Sequence, residues 1–336
     1  MPLYQPEPPL QIKNAAKTAV LLINLGSPDC PEACAVRPYL AEFLSDPRVI
    51  EASPLWWKPL LHSVILPLRG SAAADNYRKI WQPDGSPLTV YGQRAAQELA
   101  QLLPGIIVRY ASTYGSLPIA DRFAEFKRQG VARIVVLPLF PQYAASSSGA
   151  ALDKVFQTLL RQRNLPSLRV IRSFHNHPAY IQAVCGQIQA HWRQYGRGEK
   201  LLFSFHGIPQ AQYDAGDPYP DECRETARLL AQALDLAEQD WVLAFQSRFG
   251  RAKWVSPATQ DLLAALPKQG VRRLDVVCPG FASDCLETLE EIAIAGQRRF
   301  IESGGSAFSY IPCLNDNPLW INALAEMVRQ EGCGWL

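Results

Sequence analysis

The chain lacks several patterns that would place it in a membrane, outside the cell or on nucleic acid. None of the apolar runs in its 336 residues approaches the ~20 residues that a membrane-spanning helix needs. The formal net charge is only +2, whereas nucleic-acid-binding proteins usually show a more basic balance. Residues 1–16 contain four prolines and no basic start followed by an apolar core, so they do not form a secretory signal. We therefore interpret residues 1–16 as a flexible leader and expect a cytoplasmic protein.

Cofactor-binding loops and cysteine motifs are missing as well. Gly26-Ser27-Pro28-Asp29 follows the first predicted strand, where a dinucleotide-binding protein would carry Gly-x-Gly-x-x-Gly, and no Gly-x-x-x-x-Gly-Lys-Ser/Thr occurs. These absences disfavour a nucleotide-dependent enzyme. The eight cysteines are scattered without a Cys-x-x-Cys pair, so the spacing of zinc ribbons and ferredoxins is absent. We expect most of them to be buried small side chains, although a cluster built from distant cysteines, including Cys313 and Cys333, stays open.

Eight apolar runs alternate with helical segments. Several runs are continuous stretches of Val, Ile, Leu and Phe, typical of strands buried on both faces. Such an alternation predicts an α/β fold with parallel strands, and two four-stranded halves fit the length better than one sheet. The predicted domains are residues 17–175 and 176–336, and the last helix is able to pack on the first domain. The predicted strands are Ala19–Asn24, Ile106–Tyr110, Arg133–Leu139, Arg169–Ser173, Leu201–Phe205, Trp241–Gln246, Leu274–Cys278 and Ala307–Ile311.

Helices are predicted in the gaps between these strands. One begins at Ser86-Pro87, with serine as the N-cap and proline at the first helical position. Others cover about residues 119–129, 178–195, 221–236, 284–301 and 319–331.

Residues 54–68 are apolar but irregular. Pro54, Pro59 and Pro67 argue against one continuous helix there. One interpretation is a buried connecting helix. The other is an apolar lip over a cleft, in contact with a flat apolar ligand or with a membrane surface.

His206, one of only five histidines, follows the predicted strand Leu201–Phe205 and precedes the strand-breaking Gly207-Ile208-Pro209. Open α/β sheets bind their ligands at the carboxyl ends of the strands. His206 is therefore a candidate site residue, and a histidine that only caps a strand in the core is the alternative.

An acidic segment follows another predicted strand and so belongs to the same sheet edge. Four acids fall within residues 284–291, and Asp284 and Glu287 have the spacing of a helix capping box. With α-helical periodicity, Glu287 and Glu291 share a face opposite Leu286, Leu289 and Ala293, which we expect in the core. Two carboxylates facing His206 would suit a divalent metal.

Other strand ends carry side chains suited to an anionic aromatic ligand. Residues 245–254 combine three cations, a hydroxyl and aromatic rings, and arginine forks match carboxylates while rings stack on a flat π-system. An ordinary basic loop is the alternative. Pro141-Gln142-Tyr143 precedes a serine-rich turn that offers hydroxyls and amides to anions. Asn24-Leu25-Gly26 and Arg109-Tyr110 end strands in the same way.

Taken together, these motifs resemble the ferrochelatase family. That resemblance implies two similar Rossmann-like domains around a cleft, and an enzyme that inserts ferrous iron into a porphyrin in the last step of haem synthesis. It runs in order along residues 18–330 and rests on Asn24-Leu25-Gly26, Gly85-Ser86-Pro87-Leu88, Pro141-Gln142-Tyr143, Ser204-Phe205-His206-Gly207-Ile208-Pro209, Gly216-Asp217-Pro218-Tyr219-Pro220, Phe245-Gln246-Ser247-Arg248-Phe249-Gly250 and Ser283-Asp284-x-x-Glu287-Thr288-Leu289.

The resemblance also implies roles for individual residues. His206 corresponds to the family's catalytic histidine and Glu287 to its acidic partner, so the expected catalytic pair is His206 and Glu287 and the expected metal ligands are His206, Glu287 and Glu291. The expected porphyrin contacts are Leu25, Arg109, Tyr110, Tyr143, Gln246, Ser247, Arg248 and Trp254.

No permanently bound cofactor is expected, and Fe²⁺ is a substrate. Animal members carry a histidine at the position of Cys285 and C-terminal cysteines for a [2Fe–2S] cluster. Here the chain ends in Cys333-Gly334-Trp335-Leu336, and Ala145 stands at the position of another cluster cysteine, so we expect no cluster. The expected reaction converts protoporphyrin IX to protohaem with release of two protons. The alternatives are a chelatase for coproporphyrin or for cobalt, and a non-catalytic haem or metal carrier.

Overall fold

The computed structural model describes Tyr4, residues 17–250 and residues 252–336. The predicted leader, apart from Tyr4, lies outside these described residues. The chain divides into two compact units. Unit 1 comprises Met1–Leu139, Ala145–Ser173 and Leu324–Leu336, and unit 2 comprises Phe140–Ala144 and Phe174–Ala323.

Unit 1 is built on a four-stranded parallel sheet of order β2-β1-β3-β4. Its centre is β1, whose residues 19–23 are fully buried because strands flank it on both sides and helices cover it. Its strands are β1 (Lys17–Asn24), β2 (Ile107–Ser112), β3 (Val131–Pro138) and β4 (Ser167–Val170), and its helices are α1 (Ala33–Leu44), α2 (Pro54–Leu60), α3 (Leu66–Ile80), α4 (Pro87–Leu102), α5 (Ile119–Arg128) and α6 (Ala150–Leu159), with π-helical turns at Leu61–Ile65 and Ala145–Gly149.

Unit 2 repeats this arrangement with the order β6-β5-β7-β8, again all parallel. Leu202, Val276, Ile292 and Phe300 lie in a core between this sheet and its helices. Its strands are β5 (Lys200–His206), β6 (Trp241–Gln246), β7 (Arg273–Val277) and β8 (Ala307–Ile311), and its helices are α7 (Pro178–Tyr195), α8 (Gln210–Asp214), α9 (Tyr219–Ala233), α10 (Thr259–Ala265), α11 (Leu286–Thr288) and α12 (Gln297–Glu302), with 3₁₀ turns at Glu238–Asp240 and Leu266–Gln269 and a π-helix at Leu289–Gly296. The last helix, α13 (Pro318–Glu331), is divided between the units.

The predicted α/β fold with two four-stranded parallel sheets is confirmed, and all eight predicted strands are present with ends displaced by at most three residues. In each unit the strand order reverses between the first and third strands. Open α/β sheets bind ligands in the crevice at such a reversal, beyond the carboxyl ends of the two strands. In unit 2 this position lies beyond β5 and β7.

The helix predicted over residues 284–301 is divided into three stretches, and this prediction was wrong in detail. α11 is a single turn, a π-helix over Leu289–Gly296 follows it, and α12 completes the segment. A π-helix bonds i to i+5, so the α-helical periodicity used for the sequence does not hold through it. From α11 onward the buried positions are Thr288, Ile292, Gly296 and Phe300, whereas the expected core residues Leu286, Leu289 and Ala293 are only half-buried.

The apolar segment at residues 54–68 is helical and mostly exposed, so its interpretation as a buried connecting helix holds only for Leu61 and Leu66, which are 0% and 6% exposed. α2 has no buried residue, and Leu55 and Leu68 are 89% and 73% exposed. Two of the three prolines lie where they cost least, because Pro54 opens α2 and Pro67 lies in the first turn of α3, whereas Pro59 lies inside α2. A π-turn, Leu61–Ile65, joins the two helices.

Candidate active site

His206 is the last residue of β5, directly beside Gln246 at the end of β6. Its side chain is half-buried, next to the ring of Phe281 at a centroid distance of 6.5 Å. Nδ1 lies 2.6 Å from the carbonyl oxygen of Gly207. Because a carbonyl only accepts, Nδ1 carries the proton and Nε2 presents its lone pair.

A close approach at Gly207 fixes this end of the strand. A Cβ at Gly207 would lie 2.8 Å from the Gln246 carbonyl oxygen and 3.2 Å from Cε3 of Trp254. Trp254 is 8% exposed and its indole N–H donates to the Phe249 carbonyl at 2.9 Å. The predicted porphyrin contact Trp254 therefore supports the turn that carries His206 and offers little surface of its own.

The buried side chain of Gln246 links β5 and β6 to the acidic segment, residues 284–291. Its side chain accepts from the Ser204 hydroxyl at 2.7 Å and donates to the main-chain carbonyl of Glu287 at 2.7 Å. Gln246 is only 1% exposed. The side chain of Gln246, a porphyrin contact implied by the family resemblance, therefore offers little surface to a ligand, and its hydrogen bond positions the main chain of Glu287.

Glu291 is held by Ser247, the first residue after β6. The two Glu291 carboxylate oxygens accept from the Ser247 amide at 2.7 Å and from its hydroxyl at 2.6 Å. Ser247 reaches this position with φ of 63°, in the left-handed region that a non-glycine residue rarely adopts. Burial raises the pKa of Glu291 and the charge of Glu287 adds to this, against the opposing effects of Ser247 and His206.

The expected capping box between Asp284 and Glu287 was wrong. The residue that caps α11 is Cys285, whose extended backbone allows a reciprocal pair of bonds with Thr288. Asp284 is buried and accepts from Asn315, Tyr310 and Thr288. Its carboxylate therefore ties the start of the acidic segment to the chain that follows β8.

Cys285 lies next to Glu287 in spite of the two-residue spacing. Burial raises the pKa of the Cys285 thiol well above its usual range, and the charge of Glu287 and a hydrogen bond to its side chain raise it further. The non-helical capping position explains this contact, because residues two apart on an α-helix would point in different directions. A protonated thiol beside Glu287 is a weak donor and a poor metal ligand.

The loop after β6 places Arg248 at the surface. Its side chain is about half exposed and lies 3.4 Å from Asp261 in an exposed ion pair. Such pairs contribute little to stability, so the guanidinium remains available to an anionic ligand.

Tyr143 belongs to the short stretch of unit 2 that follows Leu139. Its side chain is half-buried, and its amide donates to Oε2 of Glu222 at 2.7 Å. Glu222 in turn lies 3.3 Å from Nδ1 of His175. Sequence reasoning missed this acid–histidine cluster. The only sequence signal was Gly216-Asp217-Pro218-Tyr219-Pro220, which directly precedes it.

The other predicted porphyrin contacts lie in unit 1. Leu25 is half-buried, directly after β1. Arg109 lies within β2 and bonds Glu125 of α5 at 2.6 Å. Tyr110 is only 3% exposed and packs against Gly92, so its side chain offers little surface to a ligand.

The expected metal ligands do not form a ready cage. Among the described residues, no three His, Cys, Asp or Glu side chains are arranged to hold an ion. Each Glu291 oxygen accepts one hydrogen bond from Ser247, which fixes the orientation of this carboxylate. The prediction that most cysteines are buried is confirmed for five of them; Cys313 is buried in unit 2, whereas Cys333 is exposed in unit 1.

Comparison with known protein families gives a match over nearly the whole chain. A model of the ferrochelatase family matches residues 17–332. The chain is 55% identical over 332 residues to the ferrochelatase of Neisseria meningitidis serogroup A, covering 99% of both chains. It is 49% identical over 341 residues to the ferrochelatase of Aromatoleum aromaticum, covering 100% of this chain and 93% of that one.

Solved structures with the same fold include two chelatase-like proteins. CbiX, described as the terminal enzyme for biosynthesis of sirohaem in denitrifying bacteria, has a TM-score of 0.52 at 16% identity and covers 93% of this chain and 98% of its own. SirB from Bacillus subtilis, determined with Fe³⁺, has a TM-score of 0.56 at 14% identity. The match covers 95% of this chain and 96% of SirB. At such identities the likeness shows the fold alone.

Proposed function

This chain belongs to the ferrochelatase family of metal chelatases, and we propose that it inserts Fe²⁺ into protoporphyrin IX to form protohaem, with release of two protons. The observation that carries this proposal is the grouping of His206, Glu287 and Glu291 beyond the carboxyl ends of the unit 2 strands. Gln246 and Ser247 connect the end of β6, beside His206, to the two glutamates, and both His206 and Glu287 lie close enough to Glu291 to affect its pKa.

In the proposed mechanism His206 receives the first pyrrole proton. The hydrogen bond from Nδ1 to the Gly207 carbonyl leaves the Nε2 lone pair as the acceptor. The N–H bond of the porphyrin breaks, its electron pair stays on the pyrrole nitrogen, and that nitrogen binds the iron. A histidine within hydrogen-bond reach of the proton is suited to this general-base step.

Glu287 takes the second proton and assists the entry of Fe²⁺. The hydrogen bond from Gln246 to the main-chain carbonyl of Glu287 holds the backbone that carries this half-buried side chain. Glu291 continues the path, since its raised pKa lets it hold a proton where an ordinary carboxyl has lost it. Both protons then pass to water, which balances the replacement of two N–H bonds by one Fe²⁺ ion.

Arg248, with Ser247, Tyr143 and Leu25, stays among the proposed porphyrin contacts. A guanidinium fork matches a propionate, and a flat macrocycle suits an apolar surface with a cationic edge. Gln246, Trp254 and Tyr110 are buried, so we assign them to the support of neighbouring residues.

The test is an anaerobic incubation of the protein with Fe²⁺ and a panel of porphyrins, followed by absorbance. Protoporphyrin IX should be converted to protohaem at a rate proportional to protein concentration. Faster metal insertion into coproporphyrin than into protoporphyrin IX, or faster insertion of Co²⁺ than of Fe²⁺, would establish the alternative substrate. Binding of product without conversion would establish a carrier and refute catalysis.

A second proposal concerns α2, the following π-turn and the first turn of α3. Leu55, Trp56 and Leu68 are exposed on a segment that also carries Lys58 and Arg69, which suits a peripheral contact with an anionic lipid surface. None of the helices in the described residues is long and apolar enough to cross a bilayer. Sedimentation with anionic vesicles should decrease in a Leu55→Ser, Trp56→Ser double variant and not in Phe156→Ser, an exposed aromatic elsewhere in unit 1. Cytoplasmic location stays a prediction.

A further inference from the structure

His175 lies between two glutamates of α9, outside the residues assigned to iron insertion. Nδ1 is 3.3 Å from Glu222 and Nε2 is 3.0 Å from Glu225, which lies one helical turn further along. The side chains of His175 and Glu222 are mostly buried, at 13% and 11% exposure, whereas Glu225 is 43% exposed. A neutral imidazole has one N–H, so only the doubly protonated ring can donate to both carboxylates.

Glu222 links His175 to Tyr143, one of the proposed porphyrin contacts. The same oxygen, Oε2, faces His175 and accepts from the Tyr143 amide at 2.7 Å. The neighbouring Gln142 donates to the Thr226 hydroxyl at 2.9 Å, and that hydroxyl donates to the main-chain carbonyl of His175. Tyr143 is therefore attached to α9 through a carboxylate whose own position depends on the histidine.

We propose that His175 is a positioning residue for porphyrin binding, which in its charged form holds Glu222 on the Tyr143 amide. The inference rests on the proposed role of Tyr143 as a porphyrin contact. Loss of one ring proton leaves a single N–H for the two carboxylates and removes the positive charge beside the mostly buried Glu222. The neutral ring therefore holds Glu222 less firmly on the Tyr143 amide.

The charges around His175 favour its protonated form. Burial lowers its pKa, but hydrogen bonds and charge from Glu222 and Glu225 outweigh this and raise it above the ordinary value. Other titratable groups lie beyond the pair: Arg228 acts on Glu225, and the Cys223 thiol, whose pKa burial raises strongly, lies next to Glu222. As pH rises through the raised pKa of His175, the KM for porphyrin should increase while kcat stays constant.

The test compares KM and kcat for porphyrin across pH 6–9 in the wild type, His175→Gln and His191→Gln, a histidine of α7. In His175→Gln the KM should be about three- to tenfold higher at low pH, the effect of one hydrogen bond, and independent of pH. His191→Gln should follow the wild type. Amide exchange of the peptide spanning residues 140–147 should be faster in His175→Gln, an effect that does not depend on turnover.

Glu225→Gln keeps the inference testable if His175→Gln folds poorly. Glu225 is partly exposed, and removing its charge should lower the pKa of His175 and move the increase in KM to lower pH. A wild-type KM profile in both variants would overturn the inference. Tyr143→Ala separates the two proposals: an unchanged KM in that variant refutes the porphyrin role of Tyr143, whereas an increase there without one in His175→Gln refutes only the role of His175.

Discussion

Unit 1 and unit 2 share one strand order but end corresponding strands with different chemistry. β1 ends at Asn24, which is buried and whose side chain accepts from the amide of Leu25 at 2.8 Å. β5 ends at His206, which is half-buried and presents Nε2. At corresponding strand ends, unit 1 thus has the buried amide of Asn24, which stabilises its own turn, and unit 2 has the imidazole of His206.

The third strands repeat this contrast. In both units a π-helical turn lies between the third strand and the fourth, Ala145–Gly149 after β3 and Leu289–Gly296 after β7. The first contains only alanine, serine and glycine, whereas the second carries Glu290 and Glu291 and follows Glu287. The fold therefore provides equivalent strand ends in the two units, and the side chains at the strand ends of unit 2 provide the chemistry.

The largest expected effect distinguishes the ends of β5 and β1. His206→Ala should reduce kcat for iron insertion about 10³-fold, within the range of general acid–base contributions, with an unchanged thermal melt. Asn24→Ala should lower the free energy of unfolding by about 1 kcal/mol through loss of a buried hydrogen bond, with the rate per folded molecule preserved. Near-wild-type turnover of His206→Ala would remove this residue from the mechanism.

A smaller effect is expected at the acidic segment. Glu287→Gln should lower kcat about 10²-fold because the amide neither accepts a pyrrole proton nor carries the charge that Fe²⁺ needs. The matched change Glu290→Gln should leave kcat within about twofold, by the same measure. Steady-state rates and circular dichroism are measured together, and equal losses in both variants would contradict the assignment of Glu287.

Arg248→Ala should weaken the binding of dicarboxylate porphyrins about tenfold, the effect of one charge-assisted bond. The affinity for their dimethyl esters should not change. The control is Arg94→Ala in unit 1, which removes another exposed ion pair, that with Asp84 at 3.2 Å. Neither variant should lose much stability. Fluorescence quenching gives both affinities, and an equal loss for acid and ester would show that Arg248 does not meet a carboxylate.

The smallest expected effect is a difference in the pH dependence of stability between Glu291 of unit 2 and Glu125 of unit 1. The raised pKa of Glu291 means that, above the ordinary carboxyl value of 4.5, the folded protein holds a proton that the unfolded chain has lost. The free energy of unfolding therefore falls as pH rises above 4.5, by up to about 1.4 kcal/mol per pH unit. Glu291→Gln should abolish this slope.

Glu125 should show the opposite sign. Burial raises its pKa, but Arg109 and Arg122 outweigh this and lower it, so its stabilisation is present above the ordinary carboxyl pKa and is lost as pH falls. Melting temperatures of both glutamine variants and the wild type, taken from pH 3 to 8, measure the two slopes. Slopes of the same sign would contradict the environments described for these carboxylates.

Much of the architecture could be predicted from local patterns, whereas the contacts of the candidate site could not. The apolar runs predict all eight strands, and the position of His206 follows from the end of one run. The capping of α11 by Cys285 could not be predicted, because Asp284 leaves that role only when Asn315 and Tyr310 are brought to it. The burial of Gln246 and Tyr110 likewise depends on neighbours distant in sequence.

The sequence by itself determined the α/β class, the two four-stranded halves and the candidate residues His206, Glu287 and Glu291, because strand and helix periodicity and the order of motifs are local properties. Only the tertiary structure decided that Ser247 occupies both oxygens of Glu291, that Leu289–Gly296 is a π-helix, and that His175 reaches Tyr143 through Glu222. The side-chain contacts among these join residues 44 to 79 positions apart. Their free energy depends on burial and on which partner is nearest, and neither is visible until the chain has folded.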